Sequence, residues 1–175
     1  GITINLQTYE DFDIVTDNFK SGACDVVTTD GSALVGRKAE QQPDGEEWVI
    51  FPGAPISKEP LGPTYGQNDS QWADVVNWTV YATIIADEKG INSGNASGVV
   101  GNDAYDAEAQ RLMGGEGELQ TLMGLSADAF QNVISQVGNY DEIYSRNLNP
   151  VGLTRSGSSN AGWTDGGLIY APPAR

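Results

Sequence analysis

Three consecutive polar residues, Thr28, Thr29 and Asp30, are the clearest candidates for ligand chemistry in this 175-residue chain. They end a short apolar stretch, and the pattern from Gly31 to Ala39 predicts a helix directly after them. In open α/β sheets, ligands gather at the carboxyl ends of strands, where a carboxylate can pair with a cationic group beside the N–H donors of a helix. Asp30 is therefore either a ligand-binding carboxylate or simply the N-cap of that helix.

The other polar clusters in the sequence favour structural roles. Residues 102–108, "NDAYDAE", lack the glycine and the distal glutamate of a calcium loop, so we predict the start of a helix. Residues 156–162, "SGSSNAG", have no lysine and no strand-then-helix surroundings, which favours a surface loop over a phosphate loop. The acidic pairs 46–47 and 141–142 could do the acid–base work of a glycosidase, but such pairs are usually solvated acids at the start of a helix or strand.

The composition excludes several classes of function. Twenty-four acidic residues against nine lysines and arginines give a net charge of −15, which repels nucleic-acid phosphates and anionic membranes. The chain has no histidine and a single cysteine, Cys24, so we predict no metal and no cofactor. Cys24 has no basic neighbour in the sequence, and inert burial is favoured over a nucleophilic role. The longest apolar stretch, 75–86, is too short for membrane insertion.

The first 52 residues alternate between strand and helix patterns. The predicted strands cover residues 2–6, 24–29 and 47–52, and the predicted helices cover residues 9–20 and 31–39. This order favours an α/β fold with a parallel sheet. The prolines between residues 52 and 63 then indicate a connector or an edge strand, where a change of lobe could lie.

The remaining elements are predicted to be helical. Asn68-Asp69-Ser70 is an N-cap signature ahead of a wide apolar stripe that ends at Gly90, so a helix is predicted over residues 70–89. Shorter helices are predicted around 106–113, from Ser126 through Val137, and from Asn139 to about Asn147. The last of these begins with a capping-box pattern.

Four segments together resemble the periplasmic general L-amino-acid-binding proteins of polar amino-acid ABC importers, in solute-binding protein family 3. These segments are "CDVVTTDGSAL", "ISKEPLGPTYGQNDSQWADVVNWTVYA", "MGLSADAFQNVISQVGNYDEIYSRNL" and "WTDGGLIYAPPAR". The resemblance implies a type II periplasmic binding fold, in which two lobes close around an amino acid. It also implies a periplasmic protein that delivers L-amino acids to an ABC permease and is not an enzyme.

The resemblance assigns roles to the candidate residues. It implies that Asp30 forms a salt bridge with the α-ammonium group of the ligand, and that Thr28 and Thr29 line or support the same wall of the cleft. It also implies that Cys24 is one half of a disulfide whose other cysteine lies outside this chain.

The resemblance further implies that this chain is the C-terminal half of a longer protein, with the fold truncated at its N-terminus. Residues 1–58 match the latter part of lobe two, and residues 59–175 match the returning crossover strand, the C-terminal helices of lobe one and the tail. The apolar faces of helix 70–89 and strand 24–29 would then lack their partners. We therefore expect that the chain associates with its missing N-terminal half, pairs with a second copy, or is a trimmed product of a longer protein.

Two other classes of function stay open from the sequence. The same fold hosts dehydratases and is found joined to lytic transglycosylases, and in such an enzyme Asp30 or Glu59 would act as the base, since the chain has no histidine. A purely structural interaction module is the third class. Product formation would indicate an enzyme, and loss of ligand affinity on replacing Asp30 would indicate a binding protein.

Overall fold

The computed structural model describes residues 1–57 and 59–175, and the chain divides into two units, Gly1–Pro60 and Leu61–Arg175. The predicted boundary after residue 58 lies beside this division; Lys58 itself is outside the described residues, and the assignment of the two parts to lobes stays a prediction. The α-helices in the described ranges are α1 (Phe12–Lys20), α2 (Gly31–Gln41), α3 (Ser70–Glu88), α4 (Ala107–Leu112), α5 (Leu119–Leu122), α6 (Ala129–Val137) and α7 (Tyr140–Leu148). In these two ranges we find no helix with the length and apolar character that crossing a membrane requires.

The first unit contains α1 and α2, which confirm the helices predicted over residues 9–20 and 31–39. α1 begins three residues later than predicted because the Asp11 carboxylate accepts a hydrogen bond from the Asp13 N–H at 2.8 Å and so sets the first turn. Arg37 of α2 holds the two helices together. Its Nη1 lies 2.7 Å from Asp13 Oδ1, and its guanidinium lies 5.2 Å from the centre of the Phe12 ring.

The predicted strands are not formed, so this chain does not by itself confirm the α/β class. Residues 2–6, 24–29 and 47–52 carry neither helix nor strand, and the 24–29 segment is mostly exposed instead of buried. The physical reason is that a strand needs a neighbouring strand to pair its backbone N–H and C=O groups. The one backbone–backbone hydrogen bond that these segments make with described residues, from the Cys24 N–H to the Asn18 carbonyl at 3.3 Å, joins segment 24–29 to α1 and not to a strand. The predicted crossover strand after residue 59 is likewise without strand structure in the described residues.

The second unit is built around α3, which confirms the helix predicted over residues 70–89. Its first turn is capped by Asp69, whose Oδ1 accepts from the Trp72 N–H at 2.9 Å. Its C-terminal half, residues 82–86, is buried in the same core as Phe130 and Ile134 of α6, both of which are fully buried. The expectation that the apolar face of this helix lacks partners is therefore wrong for that half, because α6 and α7 pack against it.

The helices predicted after residue 105 are confirmed as α4, α6 and α7. α6 begins at Ala129 with Asp128 in the N-cap position, three residues after the predicted start. The capping box of α7 is formed as predicted: Glu142 N–H donates to Asn139 Oδ1, and Asn139 N–H donates to Glu142 Oε2, each at 2.9 Å. Gly138 has φ +89°, and a Cβ there would lie 2.7 Å from the Glu142 Cβ, so the box requires glycine at this position.

We predict that Asp69→Ala lowers the free energy of unfolding of the second unit by about 1 kcal/mol, because it leaves an N–H of the first turn of α3 without its acceptor. Urea unfolding followed by far-UV circular dichroism measures the change. The matched control is Asp74→Ala on the exposed side of α3, where we expect a change within about 0.5 kcal/mol. Equal losses in the two variants would contradict the capping role.

Candidate functional site

Asp30 occupies the N-cap position of α2, but its carboxylate does not cap the helix. The backbone carbonyl of Asp30 accepts from the Leu34 N–H at 3.0 Å, which places the residue at the start of the helix. Its side chain makes no capping hydrogen bond and is exposed. Most aspartates in this position accept from an N–H of the first turn, as Asp11, Asp69 and Asp106 do in this chain. The Asp30 carboxylate is therefore available to a ligand at the positive end of the α2 dipole.

Thr28 and Thr29 lie directly before Asp30 and are exposed as well. Neither hydroxyl forms a hydrogen bond with any described residue. The structure thus places together, next to one helix N-terminus, a carboxylate that can accept from an ammonium group and two hydroxyls that can donate or accept. In the described ranges, no three acidic or cysteine side chains are close enough to hold a metal ion.

The acidic clusters that the sequence assigned to structure have structural partners. Asp106 caps α4 through the Ala109 N–H at 2.9 Å, which confirms the predicted helix start, and its Oδ2 lies 2.7 Å from Lys89 Nζ. The hydrogen bonds from Lys89 and Ala109 hold the pKa of the Asp106 carboxyl below its usual value. Of the pair 141–142, Glu142 is used in the α7 capping box and also accepts from the Ser93 hydroxyl at 2.6 Å.

Cys24 and Glu59 are the other candidates that the sequence raised. Cys24 is partly buried and makes no disulfide within the described residues; its implied partner outside the chain stays a prediction. Glu59 is exposed, and it forms no hydrogen bond or ion pair with a described residue. Nothing in the described surroundings of either side chain activates it for catalysis.

An ion network around Arg155 was not predicted from the sequence. Arg155 Nη1 lies 2.6 Å from Asp87 Oδ2 at the end of α3 and 3.1 Å from Asp141 Oδ1 on α7. The guanidinium lies 4.9 Å from the centre of the Tyr140 ring, and its Nε donates to the Asn160 carbonyl at 2.8 Å. These residues come from three distant parts of the sequence, so no local spacing could have indicated them. The network joins the tail to α3 and α7.

Burial shifts the pKa values of the charged groups in this network. Burial raises the pKa of Asp87, and the hydrogen bond from Arg155 opposes that rise without cancelling it. For Arg155, burial alone would lower the pKa, but the hydrogen bonds with Asp87 and Asp141 outweigh it and raise the pKa. Only 11% of the Arg155 side chain is exposed, so Asp87 depends on this one cation for its charged state.

No protein-family model matches the chain. The chain is, however, 40% identical to the glutamate/glutamine/aspartate/asparagine-binding protein of Rhodobacter capsulatus, over 98% of this chain and 52% of that protein. It is 41% identical to the general L-amino acid-binding periplasmic protein of Rhizobium johnstonii, over 99% of this chain and 52% of that protein. A putative amino-acid ABC transporter-binding protein of Escherichia coli is 37% identical over 96% of this chain and 49% of its own length.

A solved structure is similar as well. The chain matches an ABC transporter/periplasmic binding protein from Brucella ovis with glutathione bound, with a TM-score of 0.84 and 40% identity. The match covers 95% of this chain and 52% of that one. This chain thus spans about half the length of the relatives it matches, and the resemblance that its sequence segments indicate is confirmed.

We predict that Arg155→Met lowers the free energy of unfolding at neutral pH by about 3 kcal/mol, because it leaves the largely buried Asp87 carboxylate without its cation. Since the pKa of Asp87 is already raised in the folded chain, protonation favours the folded state. Part of the loss should therefore be regained between about pH 7 and about pH 5. Urea unfolding at several pH values measures both effects.

The control is Arg175→Met, since Arg175 is exposed and has no ion pair with a described residue. We expect its unfolding free energy to stay within about 0.5 kcal/mol of the unaltered chain at each pH. A loss of unfolding free energy in Arg155→Met that is the same at about pH 7 and at about pH 5 would contradict the role assigned to Asp87.

Proposed function

We propose that this chain, which is homologous to about half of the periplasmic amino-acid-binding proteins of ABC transporters, is part of a substrate-binding component that captures L-amino acids. The observation that carries the proposal is the similarity to those proteins over 96–99% of this chain. The relatives are named as binding proteins and not as enzymes. The partner that receives the amino acid is then an ABC permease, and the location is the periplasm.

The proposed architecture is a two-lobed α/β binding fold that this chain completes only in part. Residues 1–58 are assigned to the latter part of lobe two, and residues 59–175 to the crossover strand, the C-terminal helices of lobe one and the tail. Capture follows from closure of the two lobes, because contacts made only in the closed state favour that state when ligand is bound.

Asp30 is proposed to bind the α-ammonium group of the ligand, with Thr28 and Thr29 beside it on the cleft wall. Two observations support this role: the Asp30 carboxylate is exposed, and the helix that it precedes does not use it as a cap. A hydrogen bond between a carboxylate and an ammonium is charge-assisted and is about twice as strong as a neutral one. The net charge of −15 does not oppose binding, because an amino acid is small and most are near neutral.

A γ-glutamyl peptide is a second candidate ligand, because the structural relative from Brucella ovis has glutathione bound. The γ-glutamyl residue of glutathione keeps a free α-ammonium and a free α-carboxylate, as an amino acid does. A carboxylate that recognises the α-ammonium would therefore serve both ligands. The choice between them would depend on residues that contact the rest of the ligand.

We predict that Asp30→Asn weakens L-glutamine and glutathione binding about 10- to 100-fold in the parent polypeptide, which contains both proposed lobes. This range corresponds to the loss of one charge-assisted hydrogen bond, at about 1.4 kcal/mol for each factor of ten. Isothermal titration calorimetry with a panel of L-amino acids and glutathione measures it. Asparagine keeps the shape of the side chain and removes only the charge.

Asp25→Asn is the matched control, because Asp25 is an exposed carboxylate in the same segment. We expect its ligand affinity to be unchanged. Unchanged affinity in Asp30→Asn would contradict the role of Asp30. Release of a modified product from any of these ligands would instead favour an enzyme.

A further inference from the structure

We propose that residues 154–175, which we call the strap, open and close on the rest of the second unit while the core of that unit stays folded. Three consecutive residues at the end of α3, Asp87, Glu88 and Lys89, form the latch that holds the strap closed. The proposal goes beyond ligand capture, and it rests only on contacts within the second unit.

Two residues of the latch bind the first part of the strap directly. Asp87 Oδ2 lies 2.6 Å from Arg155 Nη1, and Glu88 Oε1 accepts from the Trp163 indole N–H at 3.0 Å. In both contacts a carboxylate of α3 is an acceptor, and hydrogen bonds to charged groups are stronger than those between neutral groups. Adjacent residues of α3 therefore hold the strap at two separate points.

The third residue of the latch, Lys89, acts on the far end of the strap through α4. Its Nζ lies 2.8 Å from Glu108 Oε2, and the other oxygen of that carboxylate accepts from the Ala174 N–H at 2.8 Å. Arg111 Nε donates to the Ala174 carbonyl at 3.0 Å. Lys89 also pairs with Asp106 at the start of α4, at 2.7 Å. Lys89 is thus a positioning residue, because it places the carboxylate that binds the strap.

The strap adds little apolar surface to the core of the second unit. Its buried hydrophobic residues are three alanines, and Ile169 is partly buried against the core. The exposed fractions of its largest apolar side chains are 54% for Trp163, 70% for Leu168 and 62% for Tyr170. Hydrophobic stabilisation grows with the apolar area removed from water, so the polar contacts with the latch carry a large share of the stability of the closed strap.

The middle of the strap is held together by its own backbone. The Trp163 N–H donates to the Ile169 carbonyl at 3.0 Å, and the Ile169 N–H donates to the Ala161 carbonyl at 3.2 Å. A Cβ at Gly167 would lie 1.9 Å from the Ala161 carbonyl oxygen, so this close approach requires glycine. These bonds do not involve the latch, and the strap therefore opens as one piece.

Opening would change the surface of the second unit. Ala171 and Ala174 belong to the buried core cluster, so their departure would uncover the apolar surface that they contact. It would also expose Arg155, whose side chain is 11% exposed in the closed strap. The latch thus decides whether this part of the core is accessible, through a local opening that costs less free energy than unfolding of the whole unit.

Hydrogen exchange followed by two-dimensional NMR tests the proposal on the 175-residue chain. We expect the amides of Ile169 and Ala174 to exchange at least about tenfold faster than that of Ile85 in the core of α3, because only the strap has to open. Lys89→Met should speed the two strap amides by a further factor of about ten, which corresponds to the loss of one hydrogen bond to a charged group. The Ile85 amide should be unchanged in this variant.

Arg146→Met is the matched control, because it removes a cation of α7 whose hydrogen bond is to the Val137 carbonyl. Its strap amides should exchange as in the unaltered chain. Trp163→Phe is a second test that leaves the core and the charges in place. It removes the indole N–H that binds Glu88 but keeps an aromatic ring, and it should also speed exchange of the strap alone.

Three outcomes would overturn the proposal. The first is equal exchange of the strap amides and the Ile85 amide in the unaltered chain, which would mean that the strap opens only with the core. The second is an equal acceleration of strap and core in Trp163→Phe, which would indicate general destabilisation. The third is unchanged exchange of the strap in Trp163→Phe and in Lys89→Met, which would show that the end of α3 is not its latch.

Discussion

The packing of the C-terminal half of α3 against α6 and α7 is the interaction on which the second unit depends. Residues 82–86 of α3 share a core with Phe130 and Ile134, and the capping box of α7 holds the next helix beside them. Burial of this apolar surface is the main favourable term in the folding of the unit. Arg155 in the C-terminal tail then forms ion pairs with Asp87 of α3 and Asp141 of α7. Because Arg155 is largely buried, the unit is sensitive to its substitution.

The first unit has helices but lacks an equivalent core. α1 and α2 are joined by Arg37 and by the contact of Phe19 with Trp48, whose ring centres are 5.1 Å apart. These are peripheral contacts, and most large apolar side chains of the unit remain exposed. The proposed ligand carboxylate, Asp30, belongs to this unit.

The sequence predicted the helices well and the strands poorly, for a physical reason. A helix satisfies its own backbone groups, so capping residues such as Asp69 and the Asn139–Glu142 pair locate its ends from local sequence. A strand is completed only by a neighbour, which can come from a distant part of the protein. The apolar alternation at residues 2–6 therefore could not show that this segment has no paired strand among the described residues. The Arg155 network was missed because its members are far apart in the chain. Asp30 was placed correctly at the start of α2, while the absence of a capping bond required coordinates.

A crystal structure of the parent polypeptide with L-glutamine bound would show whether Asp30 binds the α-ammonium group of an amino-acid ligand. We expect an Asp30 carboxylate oxygen to lie about 2.8 Å from the ligand nitrogen, the distance of a charge-assisted hydrogen bond. A bound ligand whose ammonium contacts other acceptors, with the Asp30 carboxylate still facing solvent, would contradict it.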